Sequence, residues 1–175
     1  MTHRRNPPTT SWNSPVDGQT HKGPPRDVEK VLSRVETELS GGNPEEALAT
    51  VSRAKFSSPW AINARATCLL RLGQYQDAVD LLRGLVLGTG GVTYRQDVPT
   101  VFQTNFATAL LAVGNLSGCL SMLKSIKDQQ HPAVQELRAA IDRWNRDLSP
   151  WQKLRWRLGG EPAPPALDFP LGHVS

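Results

Sequence analysis

The chain has 175 residues, of which 38% are hydrophobic and 21% are charged, and its formal net charge is +4. This length allows one domain of about 120 residues with flanking tails, and no apolar run approaches the ~20 residues that a membrane-spanning helix needs. The basic excess lies near the two ends of the chain and therefore says nothing about its centre. The N-terminus lacks the apolar stretch of a secretory signal, so we expect a cytoplasmic protein.

The first 26 residues are rich in Pro, Thr, Ser, Asn and Gly and carry few apolar side chains. Such a segment cannot bury enough apolar surface to offset the entropy lost on ordering. We therefore expect a disordered N-terminal tail at residues 1–26. The rest of the chain divides into a helical domain at 27–148, a basic, Trp-rich short helix at 149–160 and a Pro-rich extended tail at 161–175.

Helix start signals are frequent in the domain. Asn43-Pro44, Ser58-Pro59 and Ser149-Pro150 each combine a capping residue with a proline at the first helical position. The apolar periodicity between such signals predicts eight helices, at residues 27–40, 44–55, 59–72, 75–87, 99–113, 116–127, 132–147 and 150–158.

One sequence phrase recurs three times in this helical region. In each copy a glycine ends one helix, and a small residue follows five positions later, inside the next helix. The glycines are Gly42, Gly73 and Gly114, and the small residues are Ala47, Ala78 and Cys119. Glycine permits the positive φ that closes a helix, and a small side chain lets the next helix approach closely. The phrase therefore predicts a repeat array of antiparallel helix pairs.

The middle copy resembles a tetratricopeptide repeat. The matching residues are Ala66, Leu69, Gly73, Tyr75, Ala78, Leu82 and Leu85, while Ile62 stands where that family usually has Trp. The copies are 31 and 41 residues apart, against about 34 in the family. The resemblance covers about residues 27–146. It implies an all-α, right-handed α-solenoid of about three helix pairs, with the helix at 132–147 as a capping helix.

The resemblance also implies a binding surface, because in that family the first helix of each pair lines a concave groove for an extended peptide or a helix. Carried over, the groove comprises Glu29, Leu32, Glu36, Leu39, Trp60, Asn63, Thr67, Leu70, Arg71, Val101, Thr104, Thr108 and Leu111. This lining is mostly apolar and lacks the Lys, Asn and Arg set that binds a C-terminal carboxylate in some members. We expect a partner with apolar anchors. The alternative is that Trp60 and several leucines only pack against neighbouring helices.

The glycine-containing stretch at 88–98 is an insert between the second and third helix pairs. It lacks the Lys and Ser/Thr of a phosphate-binding loop and follows a helix instead of a strand. We interpret it as a flexible loop without nucleotide-binding function.

A Trp- and Arg-rich segment follows the domain. On a helix at 150–158, Trp151, Leu154 and Leu158 share a face, which predicts that Trp151 is buried against the capping helix and that Trp156 is exposed among arginines. The candidate contact residues are Trp151, Lys153, Arg155, Trp156 and Arg157. They could serve as a structural cap, as a protein contact, or as a site for an anionic membrane or nucleic acid.

The tail at 161–175 alternates prolines with apolar residues, including Leu167, Phe169 and Leu171. Extended, proline-stiffened segments of this kind are what grooves bind. We hypothesise that the tail docks along the array, in its own molecule or in a neighbour's, and regulates access to the groove. The alternative is a disordered linker.

The residues that usually carry chemistry are scattered. None of the four histidines is paired with Cys, Asp or Glu at metal or triad spacing, and Cys68 and Cys119 fall within helical core patterns. We predict a protein–protein interaction module, an adaptor or assembly factor, without catalysis, metal or cofactor. The alternative is a peripheral binder of an anionic membrane or nucleic acid through the Trp/Arg segment.

Overall fold

The structure, a computed structural model, describes residues 23–88, 90–91, 93–158, 167 and 169–175, without the side chains of Trp156 and Arg157. It contains eight helices: α1 (Arg26–Ser40), α2 (Pro44–Arg53), α3 (Pro59–Arg71), α4 (Tyr75–Val86), α5 (Thr100–Ala112), α6 (Leu116–Ser125), α7 (Pro132–Asp147) and α8 (Pro150–Arg157). All eight predicted helices are present, and the all-α prediction is confirmed. Most of the predicted disordered tail, residues 1–22, lies outside the described residues.

Three helices end in the same way, as the recurring phrase predicts. Gly42, Gly73 and Gly114 have φ of +77°, +75° and +85°. In each case the amide of the following residue donates a hydrogen bond to the carbonyl five residues before it, over 2.9, 2.9 and 2.8 Å. This is the Schellman arrangement, in which a left-handed glycine satisfies carbonyls left free at a helix end.

The helices pack as a stack of neighbours. From α1 to α6, each helix contacts the next, and α1, α3, α5 and α7 also contact one another in that order. Ala47, Ala78 and Cys119 are completely buried, as expected for residues that let paired helices approach. The odd-numbered helices therefore form a continuous layer, and the site described below lies on it.

The last helix of the array, α7, packs against α5 and buries Val134 and Leu137. It does not close against α6 along its whole length. A cleft lined by Leu120, Leu123 and Ile141 remains between α6 and α7.

Helix α5 lies at the centre of the fold, since every residue from Val101 to Leu111 is buried. A buried polar side chain requires a hydrogen-bond partner. Of the four buried polar side chains in α5, three find a partner nearby. Gln103 Nε2 donates to the Arg95 carbonyl over 2.9 Å, and the hydroxyls of Thr104 and Thr108 donate to carbonyls of their own helix. The fourth, Asn105, has its partners elsewhere in the fold.

The described residues of the insert, 88, 90–91 and 93–98, form several hydrogen bonds. Gly88 N donates to Thr93 O and Arg95 N donates to Val86 O, both over 2.8 Å. The Arg95 guanidinium lies 2.7 Å from an Asp97 carboxylate oxygen, and this hydrogen bond raises the pKa of Arg95. The described residues of the insert thus bond to α4, to α5 and to each other, and its flexibility stays a prediction.

Candidate functional site

Residues 169–175 lie across the layer of odd-numbered helices, and we call them the docked segment. Gly172 and Val174 are buried, Leu171 and His173 are half-buried, and Pro170 and Ser175 are exposed. Val174 is only 4% exposed and belongs to the apolar cluster formed by α1, α2 and α3. The hypothesis that the tail docks on its own array thus agrees with the structure for these residues. Residues 161–166 lie outside the described part of the chain.

Asn105 of α5 holds the main chain of the docked segment at a single residue. Its Nδ2 donates to the His173 carbonyl over 2.7 Å, and its Oδ1 accepts from the His173 amide over 2.9 Å. A side-chain amide that both donates to and accepts from one residue replaces the two bonds that a neighbouring β-strand would supply. Asn105 therefore requires an extended, accessible main chain at this position.

Helix α3 supplies the remaining contacts to the main chain. Asn63 Nδ2 lies 3.1 Å from the carbonyls of both His173 and Val174, and the Thr67 hydroxyl donates to the former over 3.1 Å. One turn further, Arg71 Nε donates to the Leu171 carbonyl over 2.6 Å, and its Nη2 donates to the Gly172 carbonyl over 3.2 Å. Four consecutive carbonyls, 171 to 174, thus accept hydrogen bonds from side chains of the array.

The binding groups are also held in position by one another. Asn105 Nδ2 donates to Asn63 Oδ1 over 2.8 Å and lies 3.3 Å from the Thr67 hydroxyl oxygen, which is also 3.1 Å from the Asn63 carbonyl. All three side chains are buried. A buried polar network of this kind is stable only when its members are satisfied, and the docked segment completes it.

Gly172 has a conformation and surroundings that favour glycine. Its φ is +79°, a region that residues with a β-carbon rarely occupy. A β-carbon placed there would lie 3.2 Å from both Leu70 Cδ1 and Thr67 Cγ2.

Two charged contacts accompany the main-chain bonds. His173 Nε2 lies 3.2 Å from Glu136 Oε2 of α7, and both side chains are partly exposed. Burial lowers the pKa of Arg71 from its ordinary value, although an arginine remains cationic at neutral pH. A cation that donates to carbonyls forms stronger hydrogen bonds than a neutral donor does.

Only part of the groove implied by the family resemblance meets the docked segment. Asn63, Thr67, Leu70 and Arg71 of α3 do. Of the others, Leu32, Leu39, Val101, Thr104, Thr108 and Leu111 are buried, while Glu29 and Glu36 are exposed on α1. Trp60 is half-buried and packs edge-on against Phe102, with ring centroids 4.9 Å apart. The lining is more polar than expected where the main chain of the segment lies, because amides, a hydroxyl and a guanidinium bind it there.

Two residues of the site were not predicted from the sequence, Asn105 and Glu136. The 41-residue spacing of the last two repeats aligns Asn63 with Thr104, which belongs to the groove that the resemblance implies. Asn105 is the next residue, about 100° further around the helix. The available signal was an asparagine in a helix whose other residues, apart from Gln103, are apolar or threonine, since a polar amide in such a place needs a specific partner.

The Trp/Arg segment differs from its prediction. Trp151 is not buried against α7: it is 72% exposed, and Leu154 and Leu158 on the same face are 45% and 79% exposed. The chain turns away at Leu148, which is buried and has extended backbone angles. Lys153 is half-buried and Arg155 is exposed, while the side chains of Trp156 and Arg157 are outside the description. The described side chains thus leave an apolar face of α8 in solvent.

The two cysteines are poor nucleophiles. Burial raises the pKa of both Cys68 and Cys119 to about 12, with the Glu38 carboxylate adding to the effect at Cys68. Both are free thiols in the core. A neutral buried thiol packs as a small apolar side chain.

The described residues include no group of three His, Cys, Asp or Glu side chains that could hold a metal ion. None of the described helices is long and apolar enough to cross a bilayer. Compared with known protein families, curated proteins and solved structures, the chain gives no match.

Proposed function

We propose that this chain is a protein–protein interaction module that holds an extended polypeptide segment in the groove between α3 and α5, without catalysis of its own. The observation that carries the proposal is the set of hydrogen bonds from Asn63, Thr67, Arg71 and Asn105 to four consecutive carbonyls and one amide. Main-chain hydrogen bonds of this kind give affinity for extended peptides, and pockets for side chains give specificity.

The same proposal includes the architecture. We propose that the helix pairs stack in the right-handed manner of tetratricopeptide repeats and that α7 caps the last pair. Three observations support it: the repeated glycine-closed turn, the buried small residue in each second helix, and the contacts between successive odd-numbered helices. In such an array the odd-numbered helices line the concave side, where the docked segment lies.

The test uses a full-length variant in which the chain's own segment is displaced, Gly172→Val. A fluorescently labelled synthetic peptide with the sequence of residues 167–175 is titrated against it and followed by fluorescence anisotropy. We expect saturable binding to Gly172→Val and much weaker binding to the unmodified chain, whose groove is occupied. Gly84→Val is the matched control, because Gly84 is exposed on α4 with open space around its Cα.

A second substitution locates the binding site. Adding Asn105→Leu to Gly172→Val removes the side-chain amide that bonds to both the N–H and the carbonyl of residue 173. We expect the peptide affinity to fall by at least about tenfold, equivalent to 1.4 kcal/mol. Unchanged affinity in the folded double variant, checked by circular dichroism, would show that the peptide binds elsewhere.

A second candidate function rests on the exposed face of α8. Trp151, Leu154 and Leu158 lie in solvent beside the basic residues Lys153 and Arg155, a combination found in helices that bind anionic surfaces. We propose it as the alternative: peripheral binding to an anionic membrane or a nucleic acid. Binding of that kind weakens steeply as salt increases, whereas the groove contact should respond little. Sedimentation with anionic vesicles and gel shift with nucleic acid, each at two salt concentrations, distinguish the candidates.

A further inference from the structure

We propose that the groove recognises a defined class of polypeptide: an extended segment with a glycine preceded by an apolar residue and followed, two positions later, by an aliphatic residue. The chain's own Leu171-Gly172-His173-Val174 is then an internal competitor for this ligand. The inference rests on the proposed function and deepens it, because it names which segments the groove accepts.

The glycine requirement follows from the geometry of the array. At Gly172 the backbone has φ of +79°, and the space that a β-carbon would occupy is closed by Leu70 and Thr67 at 3.2 Å. Both residues belong to α3 and are buried, so neither can move aside freely. A ligand that follows the same path is therefore strongly favoured to have glycine here, whatever its other residues are.

The aliphatic requirement follows from the burial of Val174. Two positions after the glycine, its side chain joins the cluster of α1, α2 and α3 that includes Val28, Leu32 and Ala64. The site is enclosed by small and aliphatic side chains, which suits Val, Ile or Leu. A charged or amide side chain would be buried there without a partner.

The positions on either side are less restrictive. Leu171, before the glycine, is half-buried against the central core, as are Leu167 and Phe169, so an apolar residue is favoured there. His173, between the glycine and the valine, points its ring at Glu136, with 3.2 Å between Nε2 and Oε2. Since Glu136 is partly exposed, a basic residue fits this position and a neutral one is tolerated.

Exchange with an external ligand is consistent with how the segment is held. Apart from the His173 ring, its hydrogen bonds use main-chain atoms that any extended peptide provides. Pro170 and Ser175 are exposed and Leu167, Phe169, Leu171 and His173 only half-buried. Its occupation of the groove therefore limits the access of other segments without preventing exchange.

The experiment is selection from a random peptide library, with the full-length Gly172→Val chain as bait and the Gly84→Val chain as control. We expect Gly172→Val to enrich peptides with glycine followed two positions later by Val, Ile or Leu, and the control to enrich them far less. For a selected peptide, replacing its glycine by valine should weaken binding by at least about tenfold.

Each outcome has a separate meaning. Enriched peptides that lack the glycine, or that bind equally well after its replacement, would overturn this inference while leaving a peptide-binding groove. A second variant, Val174→Asp, also displaces the chain's own segment. If neither this variant nor Gly172→Val bound any peptide while folded, the proposed function itself would be overturned. If the variants instead exchanged segments between copies, light scattering would show dimers, and the partner assigned here would be wrong.

Discussion

At the scale of single residues, Asn105 is the group on which the docked segment depends most. Asn105→Leu keeps the branched shape of the side chain but removes its bonds to His173 and to Asn63. Since a buried polar group left without a partner costs about 1–3 kcal/mol, we expect the free energy of unfolding to fall by about 2–4 kcal/mol. Urea denaturation followed by circular dichroism measures this change.

The control for that substitution is Thr104→Val, which alters the neighbouring residue. The Thr104 hydroxyl donates only to a carbonyl of its own helix, so its loss should cost less than about 1 kcal/mol. The two variants should also differ in hydrogen exchange: the His173 amide, bonded to Asn105 Oδ1, should lose protection only in Asn105→Leu. Full protection of that amide in Asn105→Leu would contradict the assigned role.

The two thiols give a pH-dependent prediction. Burial raises the pKa of Cys68 and Cys119 from the ordinary 9.0 to about 12 in the folded chain. Between these values the unfolded chain loses thiol protons that the folded chain retains, so the thiols' contribution to stability is complete below pH 9 and declines as the pH rises towards 12. At pH 7–9, reaction with a thiol-specific reagent should follow the rate of unfolding. Rapid modification of either thiol in the folded protein would refute their assignment to the core.

At the scale of elements, the repeated turn depends on a backbone conformation that alanine resists. Gly73 closes α3 with φ of +75°, so Gly73→Ala should destabilise the chain by about 1 kcal/mol or more. Gly84 lies inside α4 with nothing within 4 Å of a β-carbon, and Gly84→Ala should stabilise it by about 0.5–1 kcal/mol. Thermal unfolding of the two variants compares them directly. Changes of the same sign in the two unfolding temperatures would show that turn geometry does not decide how a glycine-to-alanine substitution affects stability.

The same scale explains what could be predicted from the sequence. Helix boundaries depend on local signals, such as the Asn43-Pro44 and Ser58-Pro59 starts and the glycine stops, and a local signal can be found without knowing the fold. The conformation of the insert at Arg95 depends on bonds to Val86 and Gln103. Those bonds require α4 and α5 to be in place first, so composition alone suggested a loop.

Prediction of the site had the same limit. The α3 residues Asn63, Thr67 and Arg71 were found because a repeat pattern fixes which face of a helix points to the concave side. Asn105 and Glu136 could not be placed by that pattern, since their roles depend on the path of the docked segment, whose His173 is 68 and 37 residues away from them in sequence. For Trp151, helical periodicity determines which residues share a face but not whether α7 offers a surface to cover it.

At the scale of the whole molecule, the docked segment connects several helices at once. The array itself connects them only through contacts between one helix and its neighbours in the stack. It bonds to α3 and α5, places Val174 in the cluster of α1 to α3, and reaches α7 through His173 and Glu136. In a repeat array, stability is close to a sum of each repeat's own stability and its nearest-neighbour contacts. A segment that crosses several helices adds a term outside this sum and should make their unfolding more cooperative.

This argument gives a prediction for the full-length chain. Gly172→Val should displace the segment, because the backbone strain and the contacts with Leu70 and Thr67 act together. Amide exchange, measured by mass spectrometry, should then accelerate most in α1 and α3, which lose Val174 and the main-chain bonds. It should change least in α6, which has none of the contacts described here. Gly84→Val should leave α1 and α3 unchanged. A uniform acceleration across α1 to α7 would mean that the segment stabilises the array as one unit, and it would contradict the view that the segment can leave the groove while the helices stay folded.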